Sequence, residues 1–148
     1  MKKEIIISGF GGQGGLAIGK NLAEAGMAEG LNVTWAPSYG PEMRGGTANC
    51  SVVLSDKPVG SPVFAHPTEL IALNEPSLSK FEAGVVSGGC VFINSDVVTD
   101  KVSRPDLTGE EMITAEDIAE IAAFLVLRRT NAVIDEIEVH RANKAPFA

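Results

Sequence analysis

Cysteine is scarce in this chain, with Cys50 and Cys90 the two present and no Cys-x-x-Cys among the 148 residues. Iron–sulfur clusters and structural zinc sites draw on grouped thiolates, so neither is expected here. Both thiols are expected to be free and buried in apolar surroundings. His66 and His140 are isolated, which suits surface or cap positions better than a metal pair. Aromatic residues make up 5%, with one Trp and one Tyr. No apolar run reaches the ~18 residues that a membrane-spanning helix needs. The opening Ile5-Ile6-Ile7 is too short for the core of a secretory signal, so the expected location is the cytoplasm. Basic residues are outnumbered, 12 Lys and Arg against 19 Asp and Glu, giving a net charge of −7. A surface of that sign repels phosphate backbones and excludes nucleic acid as the expected partner. Solubility is the plain reading of the charge.

What is present is the material of one ordinary globular domain. Hydrophobic residues make up 45% and charged residues 21%, and a chain of this length closes a single core over residues 1–148. Sixteen glycines and eight prolines predict a compact, turn-rich fold. Glu4 to Ser8 reads as a buried parallel strand, a continuous apolar run ended by glycine. A glycine-dense turn, Gly9 to Gly15, follows. Leu16 to Glu29 reads as a helix with Leu16, Ile18, Leu22, Ala25 and Met27 as apolar contacts, and Gly30 is placed to stop it. Asn32 to Ala36 is a second strand, so the opening is the βαβ unit of a parallel sheet.

Pro37 to Gly46, with two prolines and three glycines, is read as irregular. Ala48 to Leu54, Leu70 to Leu73 and Cys90 to Asn94 read as further strands, and Pro76 to Ala83 as a short helix with proline in its first turn. Asp96 to Glu111 is polar and is expected to be irregular. Thr114 to Asp117 opens a helix of about 15 residues in capping-box fashion. Arg128 and Arg129 suit that helix's end, and Ile118, Ile121, Ala122, Leu125 and Val126 form its apolar stripe. Val133 to His140 fits helix or strand. The expected fold is a three-layer α/β domain with a Rossmann-like start. Its central sheet is mainly parallel, with an added antiparallel strand.

Two stretches carry the functional signal. Gly9-Phe10-Gly11-Gly12-Gln13-Gly14 satisfies G-x-G-x-x-G between a strand and a helix, where bare backbone and a helix N-terminus can meet an anion. The acid that would hold a ribose at the end of the second strand is missing, since that strand ends Thr34-Trp35-Ala36-Pro37. No G-x-x-x-x-G-K-[ST] occurs, which excludes a P-loop. Close strand-to-helix packing is the competing reading of the glycines. Ser38-Tyr39-Gly40-Pro41-Glu42-Met43-Arg44-Gly45-Gly46 follows the second strand, where an open α/β sheet places its ligand crevice. It reads either as a binding or interface loop, or as a structural loop in which Glu42 and Arg44 pair with each other or with solvent.

Together these stretches, with Pro37 before the second, resemble the gamma subunit of 2-oxoacid:ferredoxin oxidoreductases. Ser55-Asp56-Lys57-Pro58-Val59-Gly60-Ser61-Pro62 resembles the same family at the matching distance, and the likeness covers roughly residues 4–95. The resemblance implies a complex that converts a 2-oxoacid and CoA to acyl-CoA and carbon dioxide, with electrons passing to ferredoxin. It further implies that thiamine diphosphate and the iron–sulfur clusters sit on companion alpha, beta and in some members delta subunits. This chain lacks a Gly-Asp-Gly thiamine diphosphate signature and grouped cysteines, so it is expected to hold neither and to contribute no catalytic residue. Gly11, Gly12, Gln13, Gly14, Ser38, Tyr39 and Arg44 are the candidates for contact with CoA or with a partner subunit. The stretch from Ala122 to Ala148 is shorter than the family pattern, so the last helical layer is expected to be reduced. Two other readings remain open, a free-standing nucleotide-binding module and a purely structural partner.

Overall fold

The computed structural model describes residues 1–38, 40, 45–99 and 102–111, without the side chains of 108–111. The strands are β1 (Lys2–Gly9), β2 (Asn32–Ser38), β3 (Ala48–Ser55), β4 (Glu69–Ala72), β5 (Cys90–Ile93) and β6 (Thr108–Glu111). The helices are α1 (Gly15–Ala28) and α2 (Glu75–Phe81), the latter running into a 3-10 turn at Glu82–Gly84. The expected helix from Thr114 and the tail from Val133 lie outside the described residues.

The strands form one six-stranded sheet in the order β2-β3-β1-β4-β5-β6. β4, β5 and β6 run parallel to β1, while β3 pairs antiparallel with both β1 and β2. β2 therefore points the same way as β1, and β3 is the one reversed strand. This is the mainly parallel sheet with an antiparallel addition that the sequence predicts. One detail differs: β2 is not beside β1, because β3 lies between the two strands that α1 connects. Two further corrections concern boundaries. Pro37 and Ser38 belong to β2, which tolerates proline because it is the outermost strand and the missing N–H faces outward. Thr108–Glu111 is a strand rather than irregular chain, paired with Cys90–Ile93.

Both faces of the sheet are covered. On one, Ile5, Ile7, Cys50 and Val52 pack against Ala23 of α1, flanked by Leu16, Ile18 and Leu22. On the other, Ile6, Leu70, Ala72, Val91 and Ile93 meet Leu78 of α2, Val85 and Val98. The alternation within Ile5-Ile6-Ile7 explains the continuous apolar run, since a central strand buries both of its faces. α1 sits low on the sheet because its buried seam is made of small residues, Gly15, Gly19, Ala23 and Gly26. The larger apolar residues predicted for this contact only flank it, and Met27 is 58% exposed. Gly30, at φ +78°, ends the helix as expected, with Leu31 N–H donating back to Gly26 O. No helix among the described residues is long and apolar enough to cross a membrane.

Candidate functional site

The parallel strands bring their carboxyl ends to one edge of the sheet. Register places Ser38, Asn49, Ser8, Ala72, Ile93 and Glu111 in one row there. Just beyond the row lie the glycine turn after β1, the Gly45–Thr47 segment entering β3, and the β4–α2 connection. The chain crosses one face of the sheet after β1 and the other face after β4. The gap between these two strand ends is thus the topological switch point at which open α/β sheets bind ligands.

Here that gap is closed by the chain's own amides. Gln13 Nε2 donates to Leu73 O at 2.9 Å, while its Oε1 accepts from Phe10 N–H at 2.6 Å. Asn74, 1% exposed, donates through Nδ2 to Gly46 O at 2.7 Å and to Gln13 Oε1 at 3.3 Å. Its Oδ1 accepts from Ser77 N–H at 2.9 Å and so caps α2. Below them the hydroxyls of Ser8 and Ser77, both fully buried, meet at 2.8 Å. Among the described residues the region holds a cation in Lys80, whose Nζ donates to Thr47 Oγ1 at 3.1 Å and lies 5.0 Å from the Phe81 ring centroid.

The glycines of the turn divide by physical cause. A Cβ on Gly9 would stand 2.7 Å from Gln13 Oε1 and 2.9 Å from Leu73 Cβ, so Gly9 is held by close packing. Gly12 and Gly14 take φ of +98° and +82°, which favours glycine. Gly11 is under neither constraint: a Cβ there would meet nothing within 4 Å among the described residues. Gly11, Gly12 and Gly14 are all exposed. Gly14 is the N-cap of α1, brings no side chain to the cap, and is followed by no acid in the first turn. The helix therefore presents free N–H donors and its positive dipole end to this edge.

Of the candidates from sequence, the turn residues Gly11, Gly12 and Gly14 reach the surface. The Gln13 amide turns inward as a brace. The end of the second stretch lies against the turn: Phe10 Cδ1 lies 2.7 Å from where a Cβ on Gly46 would be, and Gly46 has φ +77°. Ser38 stands two strands from β1, about 10 Å at the usual strand spacing, on the α2 side of the sheet. Tyr39 and Arg44, with Glu42, lie outside the described residues. The third motif is at the other end: Ser55 pairs with Lys2 at the start of β1, and the N-terminal amine holds Asp56 below the usual carboxylate range. Asn74, Ser77 and Phe10 were not among the candidates. The signal for Asn74 was present, an Asn two residues before a proline at a helix start.

Cys50 is buried, and desolvation pushes its thiol up to about 11 against a weaker lowering by the Trp35 indole hydrogen bond. Cys90, expected to be buried, is only half-buried, and neither cysteine is in a disulfide. They sit on β3 and β5 with β1 and β4 between, about 14 Å apart laterally. They cannot share a cluster. No group of three or more His, Cys, Asp or Glu suited to a metal occurs among the described residues.

The sheet order also bears on nucleotide binding. In a dinucleotide fold the ribose-holding acid ends the strand beside β1. Here that neighbour is β3, which enters the edge at Ala48 with opposite polarity.

Comparison with known proteins agrees with the geometry. The family model described as pyruvate ferredoxin/flavodoxin oxidoreductase matches residues 4–137, further than the three motifs reach. Ketoisovalerate oxidoreductase subunit VorA of Methanothermobacter thermautotrophicus is 51% identical over 60% of this chain, and the match spans 19% of VorA's own length. 2-Oxoglutarate synthase subunit KorC of Methanocaldococcus jannaschii is 32% identical over 96% of this chain and 82% of its own. The crystal structure of the keto/oxoacid ferredoxin oxidoreductase gamma subunit from Geobacter sulfurreducens superposes with a TM-score of 0.61 at 33% identity, covering 73% of this chain and 59% of that one. The chain thus spans about a fifth of VorA, the greater part of KorC and over half of the Geobacter subunit. Its sheet and these likenesses make it a member of the pyruvate ferredoxin/flavodoxin oxidoreductase family, of the gamma-subunit type.

Proposed function

We propose that the chain serves as the gamma-type subunit of a complex that oxidises a 2-oxoacid with CoA to acyl-CoA and carbon dioxide, passing electrons to ferredoxin. Thiamine diphosphate would supply the carbanion chemistry and iron–sulfur clusters the electron path, both on companion subunits. The two separated thiols of this chain do not suit a cluster. Its own part is a contact edge, made by Gly11, Gly12 and Gly14 with the segment containing Tyr39 and Arg44. That edge faces an anionic group, a CoA phosphate or a carboxylate on a companion subunit. The observation that carries this reading is Gly11: a residue without a side chain where neither φ nor a neighbour requires it leaves backbone bare for something outside the chain. The uncapped start of α1 adds donors and field of the right sign.

The test is reconstitution. Chain alone is expected to give no CoA-dependent ferredoxin reduction and to bind no thiamine diphosphate, and activity is expected to return with its companions. Activity of the chain alone would overturn the proposal. Binding of NAD, FAD or ATP by the isolated chain would favour a nucleotide module instead. Within the assembled complex, Arg44→Ala is expected to weaken CoA dependence or activity by up to about a hundredfold, the upper end for a charge-assisted contact. Unchanged behaviour in both Arg44→Ala and Tyr39→Phe would leave that loop a structural role.

A further inference from the structure

The contact edge has an internal fastener, and its donor is one side chain. Asn74 joins three segments far apart in the chain: Gln13 of the glycine turn, Gly46 before β3, and Ser77 in the first turn of α2. Backbone partners fix the orientation of both amides. Ser77 and Phe10 N–H groups can only donate, while the Gly46 and Leu73 carbonyls can only accept. Each amide therefore has one assignment, Oδ1 of Asn74 toward α2 and Nδ2 toward the loops. The two ends of the side chain do separable jobs. One caps a helix; the other sets where the two loops lie relative to each other.

We infer that Asn74 is a positioning residue whose Nδ2 holds the glycine turn and the Gly45–Thr47 segment in one arrangement and so shapes the edge offered to the companion subunits. The statement about companions rests on the function proposed above; the fastening itself does not. Three observations support it. Asn74 is almost fully buried, so its donors have no water to turn to. Gln13 Oε1 accepts from both Phe10 N–H and Asn74, which places the Asn74 amide one step from the backbone of the turn. The Phe10 ring lies against Gly46, so the turn and the segment that Asn74 joins also touch directly.

Asn74→Asp separates the two jobs. Aspartate is as good an N-cap as asparagine, so Ser77 N–H keeps its acceptor. Ionised, it has no donor for Gly46 O and places a third acceptor beside Gln13 Oε1. Protonated, it regains one O–H donor. The two roles then respond to acid with opposite sign: a cap weakens as the carboxylate is neutralised, whereas the fastening recovers. Among the described residues the charged side chains nearby are Glu75 in the first turn of α2 and Lys80 on Thr47, and the native chain under the same conditions controls for every other titrating group.

The experiment measures amide exchange protection of Phe10 and Ser77 in the full chain at about pH 7 and about pH 3, on either side of carboxylate titration. In Asn74→Asp at the higher pH, Phe10 protection is expected to fall about two- to tenfold, the worth of one net hydrogen bond, while Ser77 stays protected. Acid should restore Phe10 and weaken Ser77. Asn74→Ala should lose both at either pH. Native Phe10 protection in Asn74→Asp, or parallel changes in Phe10 and Ser77, would overturn the inference. Affinity for the companion subunits should fall in step with Phe10 protection. A fall in affinity with native Phe10 protection would also overturn it. Loss of Phe10 protection with unchanged affinity would leave the fastener standing and remove the contact-edge reading instead.

Discussion

The two faces of the sheet are closed by different means. Under α1 the helix supplies almost no side chain along its seam, and Gly15, Gly19, Ala23 and Gly26 let its backbone come down onto Ile7, Cys50 and Val52. Under α2 a helix of seven residues, Glu75–Phe81, is too short to persist on propensity. It is held by the Asn74 cap, the Ser8–Ser77 hydroxyl pair and Leu78 in the apolar cluster. A face closed by close approach has no room for an added atom. A face fixed by buried hydrogen bonds has little tolerance for a lost donor. The glycine turn lies where these two constructions meet, which is why its glycines have different causes.

The largest expected effect tests the first half of that contrast. A Cβ on Gly19 would overlap Cys50 Sγ and stand 3.1 Å from Trp35 Nε1 and 3.3 Å from Ile7 Cδ1. Alanine in a helix gains about 1 kcal/mol over glycine, yet overpacking of a rigid contact costs more. Gly19→Ala is expected to lower stability by about 3 kcal/mol in urea denaturation. Adding Cys50→Ala removes the sulfur in the way, so the double variant should be more stable than the sum of the single effects by about 1 kcal/mol or more. A neutral Gly19→Ala would mean that α1 does not lie on the sheet as closely as described.

The buried thiol on the same face gives a pH signature of intermediate size. Cys50 rises from an ordinary 9.0 to about 11 on folding. Between those values the unfolded chain loses the thiol proton while the folded chain keeps it. The folded state then binds more protons, and stability falls as pH rises. Two units at ~1.4 kcal/mol each, less the rounded ends of the titration, give a loss of about 2 kcal/mol by pH ~11. The difference between native and Cys50→Ala denaturation curves isolates this component from lysine and tyrosine titration. Alkylation should likewise reach half-buried Cys90 first. An equal pH dependence in the two proteins would show that Cys50 is not sealed beneath α1.

Much of the fold was legible because punctuation and periodicity are local. The Ile5–Ile7 run, the stop at Gly30 and the strand at Ala48 each depend on neighbouring residues. What escaped depends on distant partners. Nothing near Asn32 says that β3 will come between β2 and β1, and polar Thr108–Glu111 is a strand because β5 offers it an edge. Met27 satisfied a helical pattern but sits at the solvent end of α1, since the seam was made by the smaller residues. The site divides in the same way. The glycine turn could be read from its motif and from family likeness. The cap at Asn74 left a local signal, but its hold on the loops did not, because those partners lie 28 and 61 positions away and that role exists only once three segments meet.

The smallest expected effect is at Gly26, and it sharpens the comparison from within one helix. A Cβ there would approach Leu54 Cδ2 at 2.6 Å and Val33 Cγ2 at 3.1 Å. The first distance calls for movement, as at Gly19, but the atom that must move differs. Leu54 is only partly buried, and its Cδ2 is the far end of a side chain with two rotatable bonds. The methyl can swing aside at about the cost of an off-rotamer adjustment, 0.5–1.5 kcal/mol. Against this stand the ~1 kcal/mol of helix propensity and the reduced freedom of the unfolded chain that alanine brings. Gly26→Ala is therefore expected to change stability by less than about 1 kcal/mol in either direction, beside about 3 kcal/mol lost at Gly19, by the balance of overpacking and propensity. Both variants can be measured in the same urea series. Equal losses at the two positions would mean that the seam is uniformly rigid, and that the freedom of Leu54 to yield has been overestimated.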